Sequence, residues 1–237
     1  MGDLHWRLAV LVGRHGWLLW VLLLIASRVT ALNYFTALDA NAVQRFVARF
    51  GVEAKPHLLY WRDQIEARRR IAMTDQQRLE FVNRLSNQVP FEDDQLHWGV
   101  KEYWATPAEF VASNGGDCDD YAISKFFALI ELGMAPEKLR MTYVRSLHAQ
   151  GITHHMVLAY YAQPDTEPLV LDNLVDEILP AGRRPDLLPV LSFNDDGAWN
   201  GRNEKKKRAP ARSGNGTNCA SACRLKQSRS QYGVLGG

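Results

Sequence analysis

The hydrophobic spacing of this chain changes once, at Gly133, and that change limits what it can build. Before it, apolar residues recur at helical spacing. Ala42, Val43, Phe46, Val47 and Phe50 follow Asp39 and stop at Gly51, and a second set runs from about Leu58 into Arg68-Arg69-Arg70. Leu79, Val82 and Leu85 then follow a Thr74-x-x-Gln77 capping box. A longer helix is predicted from Cys118 to Leu132 through Ala122, Phe126, Leu129 and Ile130, with Gly133 as its stop. Beyond Gly133 come three strand-like runs, Leu139–Leu147, His155–Tyr161 and Pro168–Asp172, joined by polar turns such as Gln163-Pro164-Asp165. Helices first and strands after predict an α+β fold, a helical N-terminal part and one long helix packed on an antiparallel sheet.

Between the two regimes, Val89 to Gly116 is irregular and aromatic. Pro90, Pro107 and the Gly115-Gly116 pair punctuate it as loop with short helical pieces. The ends of the chain differ from its body. Trp17 to Ala26 is the single conspicuous apolar run, preceded by Arg7 and Arg14 and followed by Val29-Thr30-Ala31. That order reads as a secretory signal, cut after Ala31. The competing reading, an N-terminal anchor, would start near Leu8 and bury Arg14. One such run excludes a polytopic membrane protein. Residues 201–237 are rich in Lys/Arg, Ser, Gly and Asn and read as a disordered tail. Its Lys205-Lys206-Lys207-Arg208 run is read as solvated rather than as a nucleic-acid site, and Cys219 and Cys223 have no partners that would make a metal site. Residues 1–31 and 201–237 therefore flank one domain, 32–200.

The net charge of +2 hides this division. The tail alone carries +8, and residues 32–200 carry 16 basic against 24 acidic side chains, a balance of −8. The body is an acidic domain.

Cys118 is the one cysteine of that body, placed where a glycine-rich loop becomes a helix. N–H groups at a helix start stabilise a thiolate, the nucleophilic form of cysteine. A base and a group to orient it are then required. His155 and Asp172 fit, on successive strand-like runs that can lie side by side in a hairpin. His155 is preferred to His154 because Asp172 must meet the strand face that continues through Val157. The bland alternatives are a small core cysteine and a structural histidine.

Asp117, Asp119 and Asp120 surround Cys118. Their charges oppose a thiolate, unless they hold a hard divalent cation such as Ca²⁺, which takes oxygen ligands and reverses the local field. Alternatively, Asp117 caps the helix and the other two are solvated first-turn acids.

The stretch HWGVKEYWATPAEFVASNGGDCDDYAISKFFALIELGMAPEKLRMTYVRSL, then HHMVLAYY, PLVLDNL and LSFNDDGAW, resembles the bacterial transglutaminase-like cysteine proteinases, the LapG group of periplasmic proteases. The resemblance spans roughly residues 33–199. It implies a papain/transglutaminase-like α+β fold and a calcium-dependent protease that cuts a large surface adhesin near its N-terminus, at a di-alanine site, releasing cells from biofilm. It also implies an inhibitory partner, an inner-membrane cyclic-di-GMP receptor of the LapD type. Carried over by position, Cys118 is the nucleophile, His155 the base and Asp172 the orienting acid. Asp117 and Asp119 become calcium ligands, with Asp120 a further candidate. Asp119 stands where the family more often has Glu. Trp104 lines the substrate entrance, lies near the oxyanion or, as preferred, packs against the cysteine helix. Two other functions use the same residues: a transglutaminase or amidase with a different acceptor, and a non-catalytic calcium-binding module.

Overall fold

The computed structural model describes residues 33–149, 151–194 and 197–200. The apolar run Trp17–Ala26, the basic tail with Cys219 and Cys223, and the N-terminal end of the expected domain lie outside the described residues. No helix among the described residues is long and apolar enough to cross a membrane.

The helices come first. Helix α1, Ala40–Phe50, starts where the Asp39 carboxylate accepts the Ala42 N–H at 2.6 Å. It ends at Gly51, whose φ of 87° suits only a residue without a Cβ. Helix α2, Ala54–Arg69, starts four residues before the predicted Leu58. Pro56 falls in its first turn, where the missing N–H would have had no helical acceptor anyway, so the proline does not delay the helix. Helix α3, Asp75–Ser86, has its capping box in place, with Gln77 N–H donating to Thr74 Oγ1 at 3.2 Å and Thr74 N–H to Gln77 Oε1 at 2.9 Å. Leu79, Val82 and Leu85 are buried as their spacing requires.

The irregular stretch contains two short helices, α4 (Asp94–His97) and α5 (Pro107–Ser113). The second begins with another capping box, Thr106 with Glu109. Helix α6, Cys118–Glu131, is the centre of the core, with Ile123, Phe126, Phe127 and Leu129 at 2% exposure or less. Burying each such side chain contributes about 1.5–3 kcal/mol, so this helix is held as a fixed axis.

The sheet has six antiparallel strands rather than three, in the order β4-β3-β2-β1-β5-β6. They are β1 (Leu139–His148), β2 (Gly151–Tyr160), β3 (Leu169–Leu171), β4 (Leu179–Pro180), β5 (Leu187–Asn194) and β6 (Gly197–Asn200). Strand β2 starts at Gly151, before the predicted His155, because the hairpin with β1 stays paired out to His148 and Gly151. Strand β5 is disguised by Pro189, which sits opposite Val144 at a register shift in the ladder, where a missing N–H is tolerated.

One sheet face, through Met141, Met156, Leu158, Tyr160 and Leu171, joins the helical core. The other carries a small cluster of Val144, Val157, Val170 and Leu187.

Candidate active site

Cys118 is the first residue of α6 and is partly buried. Its N-cap is Asp117, whose carboxylate accepts the Asp119 N–H at 3.3 Å. The Met156 backbone amide, in the peptide that follows His155, is close enough to the Cys118 sulfur to favour its thiolate. Burial, then Asp117 and Asp119, push the thiol pKa up to about 12. The local carboxylates thus oppose a thiolate, as their signs require.

His155 lies on β2 opposite Val144 and is 5% exposed. Strand β3 pairs Leu171 with Leu158, and Asp172 follows one residue beyond the ladder. His155 Nε2 and Asp172 Oδ1 are 2.8 Å apart. His154, which projects to the other face, is exposed, with its ring 5.4 Å from that of Tyr143. The carboxylate therefore meets His155 and not its neighbour. Asp172 Oδ1 also accepts the Leu174 N–H at 3.0 Å, and Oδ2 accepts from Arg184 Nη2 at 2.8 Å. Burial works against ionisation of Asp172, but the His155, Leu174 and Arg184 hydrogen bonds outweigh it and hold the pKa well below the usual carboxylate range.

The acids beside Cys118 sit in two overlapping groups, Asp117 with Cys118 and Asp119, and Asp94 with Asp117 and Asp120. Within each group the possible ligand atoms all lie within 4.8 Å of one another. Asp119 and Asp120 are buried rather than solvated, which removes the reading of them as ordinary first-turn acids. Asp120 Oδ1 accepts the Ala105 N–H at 2.6 Å, while its Oδ2 is buried with no hydrogen-bond donor. Asp94 shows the same division, with Oδ2 accepting the Tyr103 N–H and Oδ1 buried and unpaired. Burial and the neighbouring acids raise Asp94 to about 6 and Asp120 to about 8. Asp119 is raised further still by burial and a hydrogen bond to Asp117, which needs a proton between the two groups.

Bare hard oxygens in a buried acidic cradle suit Ca²⁺. The cradle is tight. A Cβ on Gly116 would come within 2.5 Å of Asp120 Oδ2, and one on Gly115 within 2.5 Å of the His97 ring.

Asp94 and Arg184 escape a reading of the sequence. Asp94 belongs to a short acidic run with no periodic signal, and it reaches the site because Phe91 pairs with Gly116 and Glu92 N–H donates to the Gly116 carbonyl at 3.0 Å. Trp104 stacks with Phe193 of β5, ring centroids 6.4 Å apart and 8° from parallel.

Comparison with known families matches residues 60–199 to the bacterial transglutaminase-like cysteine proteinases, BTLCP. Among solved structures, calcium-bound LapG of Legionella pneumophila is 34% identical with a TM-score of 0.62, over 78% of this chain and 98% of that one. A second LapG structure from the same organism is 36% identical with a TM-score of 0.59, over 69% and 88%. The EGTA-treated form is 37% identical with a TM-score of 0.58, over 68% and 84%. A search of curated proteins finds no match.

Proposed function

The chain belongs to the bacterial transglutaminase-like cysteine proteinases, and from that membership we propose that it is a calcium-dependent endopeptidase of the periplasm working through Cys118, His155 and Asp172. The observation that carries this reading is the 2.8 Å contact between His155 Nε2 and Asp172 Oδ1, with the amide of the next residue, Met156, favouring the Cys118 thiolate.

Since Asp172 is an acceptor, His155 Nε2 carries a hydrogen, and Nδ1 is left bare as the base. Nδ1 takes the Cys118 proton as sulfur attacks the substrate carbonyl carbon. The Cys118 N–H, at the first helical position and without a helical acceptor, donates to the developing oxyanion. Collapse expels the amine, which takes the proton back from His155 and leaves a thioester. Water, deprotonated by the same nitrogen, then releases the acid and regenerates the thiol.

Asp117, Asp119 and Asp120, with Asp94 added from the structure, would hold the Ca²⁺. When bound, it supplies positive charge that offsets the carboxylates raising the Cys118 pKa.

The family resemblance supports a large surface adhesin, cut near its N-terminus, as substrate, and a LapD-type cyclic-di-GMP receptor as inhibitory partner. The apolar segment Trp17–Ala26 supports export. The direct test is to incubate the protein with the N-terminal part of an adhesin from the same genome, in calcium or in EGTA, and to read products by mass spectrometry. A single cut in calcium, lost in EGTA and in Cys118→Ala, is expected. Crosslinked products, or cleavage by Cys118→Ala, would overturn the assignment.

A further inference from the structure

We propose that Arg184 is a positioning residue of the catalytic site, a fourth member that acts on His155 through Asp172. This rests on the triad reading above. Arg184 follows the 3-10 turn Ala181–Arg183, far from Cys118 in sequence, and its side chain is only 5% exposed. Its Nη2 reaches Asp172 Oδ2 at 2.8 Å and Asp186 Oδ2 at 2.7 Å, while Nε reaches Asp186 Oδ1 at 3.0 Å. Asp186 is anchored in turn, because its carbonyl accepts the Leu147 N–H at 2.8 Å. A continuous line of contacts therefore runs from His155 to Asp172, Arg184, Asp186 and the β1 strand.

The arrangement answers a specific need. His155 uses one oxygen of a carboxylate that is fully buried. Without Arg184 the second oxygen has no donor, and the carboxylate either turns to find one or takes up a proton. In both cases the imidazole loses its fixed acceptor. Lys125, on α6, is the other cation near Asp172, but its Nζ is buried and makes no hydrogen bond. Direct restraint of Oδ2 therefore falls to Arg184.

Arg184 also lines a cavity of about 260 Å³ on the sheet face opposite the helical core, walled by Val144, Val157, Val170 and Leu187. Shortening the side chain would open the ion-pair site onto this space, so a guanidinium ion from solution could re-enter.

The test uses the full chain in calcium, with two readouts: cleavage of the adhesin fragment, and alkylation of Cys118 by iodoacetamide, which needs no substrate. In Arg184→Ala, kcat is expected to fall about 10–100-fold with KM within about twofold, as for a loss of alignment. Guanidinium at millimolar concentration should restore at least a tenth of the lost rate, and Arg184→Lys should retain more activity than Arg184→Ala. In an Asp172→Asn background, the further change Arg184→Ala should cost less than threefold. Wild-type kcat and alkylation in Arg184→Ala, or the same proportional loss in the Asp172→Asn background, would overturn the proposal. Should Arg184→Ala fail to fold, Arg184→Lys carries the same comparison. Full activity in Asp172→Asn itself would instead remove the triad reading, which separates the two failures.

Discussion

Asp172 follows the short strand β3 and gives its Oδ1 to His155 Nε2 at 2.8 Å, with both side chains almost wholly excluded from solvent. The pair sets the tautomer of the imidazole, so its effect on rate should exceed its effect on stability. Asp172→Asn keeps the shape but can present an N–H to Nε2, reversing the tautomer and taking the base away from the thiol. Cleavage should fall by about 10²–10⁴-fold. His154→Ala, on the other face, should leave kcat within about twofold. Equal losses in Asp172→Asn and His154→Ala would show that the pairing has no part in the chemistry.

The unpaired oxygens of Asp94 and Asp120 make a prediction about binding rather than rate. In the metal-free protein these buried acids repel one another and Asp117. Asp94→Asn should therefore raise the metal-free Tm, while weakening calcium binding about tenfold or more and shrinking the Tm gain on adding calcium. Gly116→Ala should weaken binding by a different route, since its Cβ would displace Asp120 Oδ2. Calorimetric titration with calcium checks both. Wild-type affinity in Asp94→Asn would remove Asp94 from the ligand set.

Helix α6 ends in Glu131, where a carboxylate opposes the helix dipole. The reason is tertiary. Glu131 accepts the Phe35 N–H at 2.8 Å, the Thr36 N–H at 2.9 Å and the Thr36 hydroxyl at 2.5 Å, with Arg69 3.7 Å away. It ties the first described residues to the helix that carries Cys118, and Phe35 is fully buried beside it. Glu131→Ala would leave two amides without acceptors and should destabilise the protein by about 2–4 kcal/mol. Urea denaturation measures this; a change below about 0.5 kcal/mol would mean that the N-terminal segment docks without the carboxylate.

These cases separate what periodicity can report from what it cannot. The change in spacing at Gly133 distinguishes the helices from the sheet because amphipathic burial operates locally, and the Thr74 capping box is legible for the same reason. Cys118 at a helix start and the His155–Asp172 pairing follow from neighbouring elements. Strand β5 is hidden by Pro189, whereas the second capping box, Thr106 with Glu109, is a local signal that Pro107 at the first helical position reinforces. Asp94, Arg184 and the role of Glu131 depend on contacts between segments distant in sequence, to which no local spacing corresponds.

Lys125 is the last case, and it gives a pH dependence with a definite sign. It sits on the core side of α6 with Ser124, and neither polar side-chain atom has a hydrogen-bond partner. Burial lowers the lysine from its ordinary 10.5 to about 7, with Asp172 and then Asp176 opposing that shift. Between those values the unfolded chain holds a proton that the folded protein has lost, so ν_U exceeds ν_N and unfolding free energy rises with pH. The contribution is absent below about pH 7, where both states are charged, and complete above about 10.5. Lys125 alone should thus add a slope of at most about 1.4 kcal/mol per pH unit in that window. Lys125→Met, similar in length and uncharged, removes the slope and should be more stable than wild type near pH 7, where the wild-type protein bears the desolvation of its ammonium. Urea denaturation of both proteins from pH 6.5 to 9.5 makes the comparison. Parallel pH profiles would mean that Lys125 keeps its charge in the fold, held by partners that its buried position does not display.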